Sequence, residues 1–375
     1  MDASSSSNSG EKSHAFGQLI SVQLAQLLGS KTSAADDFES LNVLGTGSHG
    51  VTRVVRRKHD GIVLCRKEIP YERFPTARPS DVLREVEILM MLDGHPHVIG
   101  FVGAHLSESG LNIVQEYAEG GTLQQRLDSR RERHDPFLES EVLDTFIQLC
   151  GALAHLHSHN VLHRDVKPSN VFVDRRNLCR LGDFGIAAIT NQPGGRTVLG
   201  TPLYLSPELI EGRPCDEKAD MWALGVLLYE MAALHHPFAA ENLAALAIKI
   251  TRAEYEPLSS AVGLRQAAAG TDAPGSASAP AACYTHGLLA LPSRLLQVDP
   301  ALRPTATSLL MEPVVLAHGS AFGESVDRCA ASAKVLRAAA ASSSSVAPSG
   351  GWEDPDEASA VASPDIPQKH SSSSS

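Results

Sequence analysis

Two short motifs near the middle of the chain constrain its fold more than any other feature. The first reads H-R-D-V-K-P-S-N from His163 to Asn170, and the second reads D-F-G from Asp183 to Gly185. Asp183 follows Asp165 by 18 residues, so one stretch of chain carries both motifs. Asp165 is able to accept a proton from a hydroxyl, whereas Asn170 and Asp183 offer the hard oxygen ligands that magnesium prefers when it bridges phosphates. The two motifs therefore predict chemistry on a phosphate-bearing ligand.

The composition is that of an ordinary soluble globular protein. The chain has 375 residues, 43% of them apolar and 20% charged, which is enough for two domains. Its net charge of -11 argues against general binding to nucleic acid or acidic membranes, since both require a basic surface.

The six cysteines are scattered without a C-x-x-C pair, so we expect reduced intracellular thiols. The N-terminal sequence lacks the apolar core of a signal peptide, and the longest apolar run, Met221 to Tyr229, is too short to span a bilayer and suits a buried helix. These features predict a cytoplasmic protein with no nucleic-acid or membrane partner.

Residues 1–37 form a serine-rich tail that also contains apolar residues at helical spacing. These residues precede Gly29 and are Phe16, Leu19, Ile20, Leu24 and Leu27. The spacing predicts a short amphipathic helix. Such a helix has two possible roles, packing on its own globular domain or binding a partner, and we favour the first.

The body of the chain divides into a strand-rich part and a helix-rich part. β-Branched residues alternate with polar ones from residue 38 to about 69, and helical periodicity dominates from about 139. Residues 259–282 consist mainly of Ala, Gly, Ser and Pro, which predicts a flexible insertion because such residues bury too little apolar surface to offset ordering. Residues 318–375 have the same character and are predicted to be a disordered Ala/Ser-rich tail.

A glycine-rich segment, G-T-G-S-H-G, extends from Gly45 to Gly50. Its G-x-G-x-x-G spacing also occurs in dinucleotide-binding folds, where the third glycine opens a helix. Here a β-branched run from Val51 to Val55 follows, which favours a strand. The segment therefore predicts a hairpin whose backbone N–H groups, including those of Gly47 and Ser48, cover phosphates.

A lysine and a glutamate follow the glycine-rich segment. Lys67 ends a β-rich run that begins at Val63, and a helix predicted to open near Pro79 contains both Glu85 and Glu87. Glu85 shares a helix face with the apolar residues three and four positions further on. Lys67 resembles the strand lysine of the protein kinases, and this resemblance implies that it contacts phosphates and pairs with Glu85, with Glu87 as the alternative.

Together these motifs resemble the protein kinases. The resemblance implies an α+β, bilobal protein-kinase fold over residues 38–317, with a small β-rich N-lobe (about 38–115) and a larger helical C-lobe (about 119–317). It implies ATP and Mg2+ as ligands, Asp165 as base, Lys167 on the γ-phosphate, and Asn170 and Asp183 on the metal. Lys167, placed two residues after Asp165, is typical of serine/threonine kinases. Protein serine or threonine hydroxyls are then the expected acceptors.

The resemblance also assigns the nucleotide site. The segment 112–121 resembles the strand and hinge between lobes, so backbone groups of Glu116 and Ala118 are expected to bond the adenine and Gln115 to be the gatekeeper. The adenine is expected to lie under three further side chains, Leu44, Thr52 and Cys65. Thr52 stands where valine is usual and adds a hydroxyl that needs a partner, which predicts a modest loss of nucleotide affinity.

Regulation is predicted in the segment between Asp183 and Glu208. Thr197 is the proposed phosphosite, since a phosphate there would pair with Arg164 and order the loop. An unmodified loop threonine is the alternative. Thr201, in a G-T-P triplet, is expected by resemblance to contact the catalytic aspartate and lysine.

Among kinases the chain is most similar to the NIMA-related serine/threonine family. The sequence segments that carry this resemblance include R-K-E-I at Arg66 to Ile69 and L-G-T-P-L-Y-L-S-P-E at Leu199 to Glu208. The resemblance implies that Asp220 braces the catalytic loop and that Arg303 pairs with Glu208. It also implies an association with the cytoskeleton or cilia. A pseudokinase-type scaffold is the alternative from another class, although Lys67, Asp165 and Asp183 are all present.

Overall fold

A computed structural model describes residues 20–29, 33–47, 50–70, 79–184, 202–262 and 284–318. Its N-terminal part is built on one five-stranded antiparallel sheet with strand order β1-β2-β3-β5-β4. The elements of this part are α1 (residues 20–28), a 3-10 turn at Ala35–Asp37, β1 (Phe38–Gly47), β2 (Gly50–Arg57), β3 (Val63–Pro70), α2 (Pro79–Leu92), β4 (Phe101–Ser107) and β5 (Gly110–Glu116).

The C-terminal part is mainly helical. It contains α3 (Leu123–Arg133), α4 (Glu139–Ser158), a small hairpin of β6 (Val171–Val173) and β7 (Cys179–Leu181), α5 (Pro207–Ile210), α6 (Glu217–Ala233), α7 (Leu243–Thr251), α8 (residues 258–262), α9 (His286–Leu295), α10 (Ala306–Leu310) and α11 (residues 313–318). The predicted α+β, bilobal architecture is confirmed.

Helix α6 forms the centre of the helical part. Fifteen consecutive side chains from Ala219 to Ala233 are buried, so the helix is apolar on all sides rather than amphipathic. Trp222 and Phe238 stack on each other with ring centroids 5.5 Å apart. The apolar run seen in the sequence is therefore a core helix, and none of the helices among the described residues is long and apolar enough to cross a bilayer.

Two predicted segments differ in detail from the structure. The buried residues of α1 are Ile20, Leu24 and Leu28, whereas the sequence pattern pointed to Leu27, which is only partly buried. Residues 258–262 form helix α8, so the first residues of the segment predicted to be a flexible insertion are helical. Ala261 is buried there against the face of α6 that carries Tyr229, and this packing offsets the low apolar content of the segment. Residues 263–283 and 319–375 lie outside the described residues.

Candidate active site

A cleft of about 840 Å³ lies between the sheet and the helical part. Most of the residues predicted to bind nucleotide or metal line it: Leu44, Gly45, Gly50, Thr52, Cys65, Lys67, Gln115, Glu116, Ala118, Lys167, Asn170 and Asp183. Gly47 pairs with Gly50 across the hairpin. Ser48 lies outside the described residues. Side chains separated by more than 100 positions in sequence thus share one cavity.

The glycine-rich hairpin forms the roof of the cleft. It is the turn between β1 and β2, as the β-branched run after it predicted. Gly50 has φ +117, and a Cβ atom built on it would lie 1.9 Å from the carbonyl oxygen of Glu68 on β3. A side chain at this position is therefore sterically excluded, and the backbone is free to approach a ligand closely.

Lys67 connects the sheet, helix α2 and the D-F-G aspartate. Its Nζ lies 2.9 Å from Glu85 Oε1 and 2.8 Å from Asp183 Oδ1. Burial alone would lower the pKa of the Lys67 ammonium, but the two carboxylates outweigh burial and raise that pKa above its ordinary value. The ammonium is consequently a fixed positive charge in the cleft. Glu87, the alternative partner, forms an exposed pair with Arg84 at 3.4 Å.

The catalytic-loop candidates contact one another directly. Lys167 Nζ lies 2.7 Å from Asp165 Oδ2. Asn170 Nδ2 donates to Asp165 Oδ2 at 2.9 Å and to the Asp165 backbone carbonyl at 2.8 Å. The 3-10 turn Pro168–Asn170 holds this arrangement, since Pro168 at its start has no N–H to continue a helix from the preceding residues. The Asn170 amide is thereby oriented, and these two contacts do not use its side-chain carbonyl oxygen, the atom that could accept a metal.

A buried carboxylate supports the catalytic loop from below. Asp220, on α6, accepts hydrogen bonds from the backbone N–H groups of His163 at 3.0 Å and Arg164 at 2.8 Å. Burial would raise the pKa of Asp220, but hydrogen bonding and charge from His157, with help from His163, hold that pKa below its ordinary value. Arg164 has φ +62, a left-handed conformation that costs energy for a non-glycine residue. The two hydrogen bonds to Asp220 compensate for this strain.

The segment joining the lobes follows β5. The Glu116 N–H donates to the Gly100 carbonyl at 2.9 Å, and the Glu116 carboxylate lies 3.2 Å from Arg180 Nη1. Both contacts fix the segment at the back of the cleft. Cys65 lies beside Gln115 in the sheet register. Burial raises the pKa of the Cys65 thiol to about 11, so the group stays protonated at neutral pH.

Several lining residues were not predicted from the sequence. They include Ile99, Tyr117, Phe172 and Gln125. Phe172 lies between the buried Val171 and Val173 in β6, and side-chain alternation along that strand is a signal that would have found it. No local pattern marks Ile99, because its place in the cleft depends on the bridge between Val98 and Leu181.

A second buried ion pair lies in the helical part. Arg303 Nη1 and Nη2 contact Glu208 Oε1 and Oε2 at 2.7 and 2.8 Å, so the pair is bidentate, as the family resemblance implied. The Arg303 guanidinium also lies 5.0 Å from the Trp222 ring centroid. Thr197 and Thr201 lie outside the described residues, and so does the rest of the segment between Phe184 and Pro202.

The donor atoms in the cleft fit magnesium and a polyphosphate. Asn170 and Asp183 provide oxygen ligands, while Lys67 and Lys167 provide positive charge. Within the described ranges, no group of three or more His, Cys, Asp or Glu side chains is placed to hold a metal by itself. Magnesium does not require one, because it is usually held by one or two protein ligands together with phosphates and water.

Comparisons with known proteins agree with this geometry. The model of the protein kinase domain family matches residues 38–315. The probable serine/threonine-protein kinase nek3 of Dictyostelium discoideum is 38% identical over 286 residues, which cover 75% of this chain and 23% of that protein. Human serine/threonine-protein kinase Nek5 is 34% identical over a match that covers 74% of this chain and 36% of that protein. Caenorhabditis elegans serine/threonine-protein kinase nekl-2 is 35% identical over a match that covers 76% of this chain and 75% of that protein. The chain thus spans well under half of the first two relatives and three quarters of the third.

Proposed function

Because this chain belongs to the protein kinase family, and within it to the NIMA-related serine/threonine kinases, we propose that it transfers the γ-phosphoryl group of Mg-ATP to serine and threonine hydroxyls of proteins. The observation that carries the proposal is the position of Lys67, within 2.9 Å of both Glu85 and Asp183 on the wall of one cleft. Phosphoryl transfer demands mainly positioning and charge neutralisation, and this arrangement supplies both.

The candidate residues divide the tasks of the proposed reaction among them. Lys67, held by Glu85, binds the α- and β-phosphates, and Lys167 binds the γ-phosphate. Asp165 orients the acceptor hydroxyl and takes its proton, with Asn170 fixing the Asp165 carboxylate at 2.9 Å. Asn170 and Asp183 would hold magnesium, which neutralises phosphate charge when bound.

The adenine end of the cleft is proposed to lie between the sheet and the segment after β5. Backbone groups of Glu116 and Ala118 would bond the base, while Gln115 and Cys65 limit the depth of the pocket. Phe172 supports the opposite side of the cleft.

Activation by phosphorylation of Thr197 is a further part of the proposal. Arg164 lies directly before Asp165 in the loop held by Asp220, so a phosphate paired with Arg164 would order the catalytic loop and the activation segment together. Thr197→Ala is expected to lower activity, and unchanged activity would remove this part of the proposal. A cytoplasmic, cytoskeleton-linked location stays a prediction from the sequence and the family resemblance.

The central test is incorporation of radiolabelled phosphate from ATP into a generic basic protein. Asp165→Asn is expected to reduce incorporation at least about 100-fold, because it removes the general base. Asp128→Asn, at an exposed position on α3, is the matched control and should retain activity. Label should be recovered on serine and threonine. Equal incorporation by the wild type and Asp165→Asn, or none by either under activating conditions, would favour a pseudokinase-type scaffold.

A further inference from the structure

Helix α1 lies outside the part of the chain that the kinase family model matches, which begins at residue 38. It nevertheless contributes to the main hydrophobic core. Ile20, Leu24 and Leu28 are 0%, 3% and 4% exposed, whereas Val22 on the opposite face is 57% exposed. The three buried residues follow the i, i+4, i+8 spacing of one helix face. An element outside the catalytic domain is therefore packed as tightly as the domain's own core.

The apolar face of α1 joins the same buried cluster as β3 and α2. That cluster includes Ile69 of β3 together with Leu83 and Val86 of α2. The chain after α1 is also attached to the sheet, since Ser33 Oγ lies 3.3 Å from His105 Nδ1 on the edge strand β4. The chain that follows α1 is thus attached to the edge strand of the five-stranded sheet.

Helix α2 is covered on more than one side. Val86 and Ile88 are 0% and 3% exposed, although residues two positions apart point roughly 200° from each other around a helix. A helix that lies on a single sheet buries a much narrower stripe. Covering two sides of α2 therefore requires apolar groups beyond those of the sheet. In the shared cluster such groups come from the helical part, from Phe184 and from α1, which supplies three.

The position of α2 matters because it carries Glu85. This side chain is 3% exposed and pairs with Lys67 Nζ at 2.9 Å. An ion pair of this kind forms only when α2 lies close to β3, and rigid elements transmit displacement by packing. Any element that fixes α2 against the sheet also fixes this pair.

We propose that α1 is a positioning element for the reaction, in which Ile20, Leu24 and Leu28 hold α2 against the sheet so that Glu85 stays paired with Lys67. The proposal rests on the kinase function proposed above. It makes α1 a built-in activator of the catalytic domain, and any event that detaches α1 from the core would lower the rate of phosphoryl transfer.

The first test compares two substitutions on the same helix in the full chain. Leu24→Asp places a charge in the core, and Val22→Asp places the same charge on the exposed face. Amide hydrogen exchange is measured in α2 and in α6. We expect Leu24→Asp to accelerate exchange at least about tenfold in α2 with α6 unchanged, and Val22→Asp to alter neither. Equal exchange in the two variants would overturn the proposal, and so would acceleration in α6 as well as α2.

The second test asks whether α1 acts through Glu85. Leu24→Ala is made in the wild type and in Glu85→Gln, and kcat/KM for ATP is measured for all four proteins. A positioning role predicts a clear loss from Leu24→Ala alone, rescue by Leu24→Met, and less than about a twofold further loss in the Glu85→Gln background. Independent, multiplicative losses would overturn the proposal. If the wild type shows no kinase activity the proposed function fails, whereas the exchange experiment still decides the role of α1.

Discussion

Glu85 and Glu87 lie on the same helix, but one side chain is buried and the other is exposed, so their substitutions can be compared directly. Glu85 is buried against Lys67, whereas Glu87 has an exposed partner in Arg84. We expect Glu85→Gln to lower kcat/KM for ATP roughly 100-fold, because Lys67 loses the group that positions it. The measurement is steady-state kinetics at several ATP concentrations.

Glu87→Gln is the control for that experiment, since it removes the same charge from the same helix. Its effect on stability should stay within about 0.5 kcal/mol, and its effect on kcat/KM should be small. Equal losses from the two substitutions would show that net charge on α2, rather than the contact with Lys67, matters for activity.

Arg303 provides a test of stability at the residue scale. Its bidentate contact with Glu208 is fully buried, so Arg303→Met would leave an unpaired carboxylate in the core. We expect a loss of about 3–5 kcal/mol in the free energy of unfolding, measured by chemical denaturation. Arg252→Met, which breaks an exposed pair with Glu254 at 3.5 Å, should cost less than about 1 kcal/mol. A similar cost for both would contradict the assignment of Arg303 to a structural role.

The sequence indicated those active-site residues whose chemistry is carried by motif spacing. Lys67, Asp165 and Asp183 could be named because their separations are characteristic, and the structure brings Lys67 and Asp183 to 2.8 Å. Ile99 could not be named, because an aliphatic residue reaches the cleft only through long-range pairing of Val98 with Leu181. The choice of Glu85 over Glu87 rests on the helix face that Glu85 shares with Ile88 and Leu89 and on the kinase family, which has Ile and Leu at these offsets from its paired glutamate.

At the scale of elements, the loop between α2 and β4 carries a pH-sensitive contact with the helical part. His97 Nδ1 lies 3.1 Å from the Cys179 carbonyl of β7. Burial, reinforced by the charge of Arg180, outweighs that hydrogen bond and lowers the pKa of His97 from 6.5 to about 4. The unfolded chain therefore binds a proton between about pH 6.5 and 4 that the folded protein does not bind.

This difference makes the folded state less stable as the pH falls below 6.5. His97 alone is expected to contribute a loss of about 2 kcal/mol at pH 5 relative to pH 7.5. Denaturation curves at the two pH values should show that His97→Asn loses less unfolding free energy between pH 7.5 and pH 5 than the wild type does. His286→Asn, at an exposed position at the start of α9, should retain the wild-type pH dependence. If His97→Asn kept the wild-type pH dependence of the unfolding free energy, His97 would not be the source of the acid sensitivity.

Elements with strong periodicity were easier to predict than those that depend on neighbours. The strands of the glycine hairpin and the buried helix α6 followed from residue patterns. Helix α8 did not, because Ser259 to Val262 look like a linker and become ordered only through the packing of Ala261 in the cluster with Tyr229. In α1 the predicted Ile20 and Leu24 are buried, Leu28 is buried in place of the predicted Leu27, and Phe16 and Leu19 lie outside the described residues. The burial of this helix in the core required the structure.

At the scale of the whole molecule, the cleft depends on both parts of the chain. Lys67 and Glu85 come from the sheet and α2, whereas Asp165, Asn170 and Asp183 come from loops anchored on the helical part. Asp183 joins the two sets through Lys67. A ligand that contacts both sets should stabilise the folded molecule by mass action, by about 2.7 kcal/mol at 100 times its dissociation constant.

The magnesium dependence of that stabilisation tests the assignment of Asp183 and is measurable without turnover. In the wild type, ATP with magnesium should raise the melting temperature more than ATP with a chelator. The reason is that magnesium adds contacts to the proposed ligands Asn170 and Asp183. In Asp183→Asn the two conditions should give equal shifts, since the anionic ligand is lost while the cleft remains. Asp128→Asn should keep the wild-type difference, because this carboxylate is exposed on α3. A magnesium-dependent shift that survives in Asp183→Asn would place the metal on other residues and contradict the assigned roles.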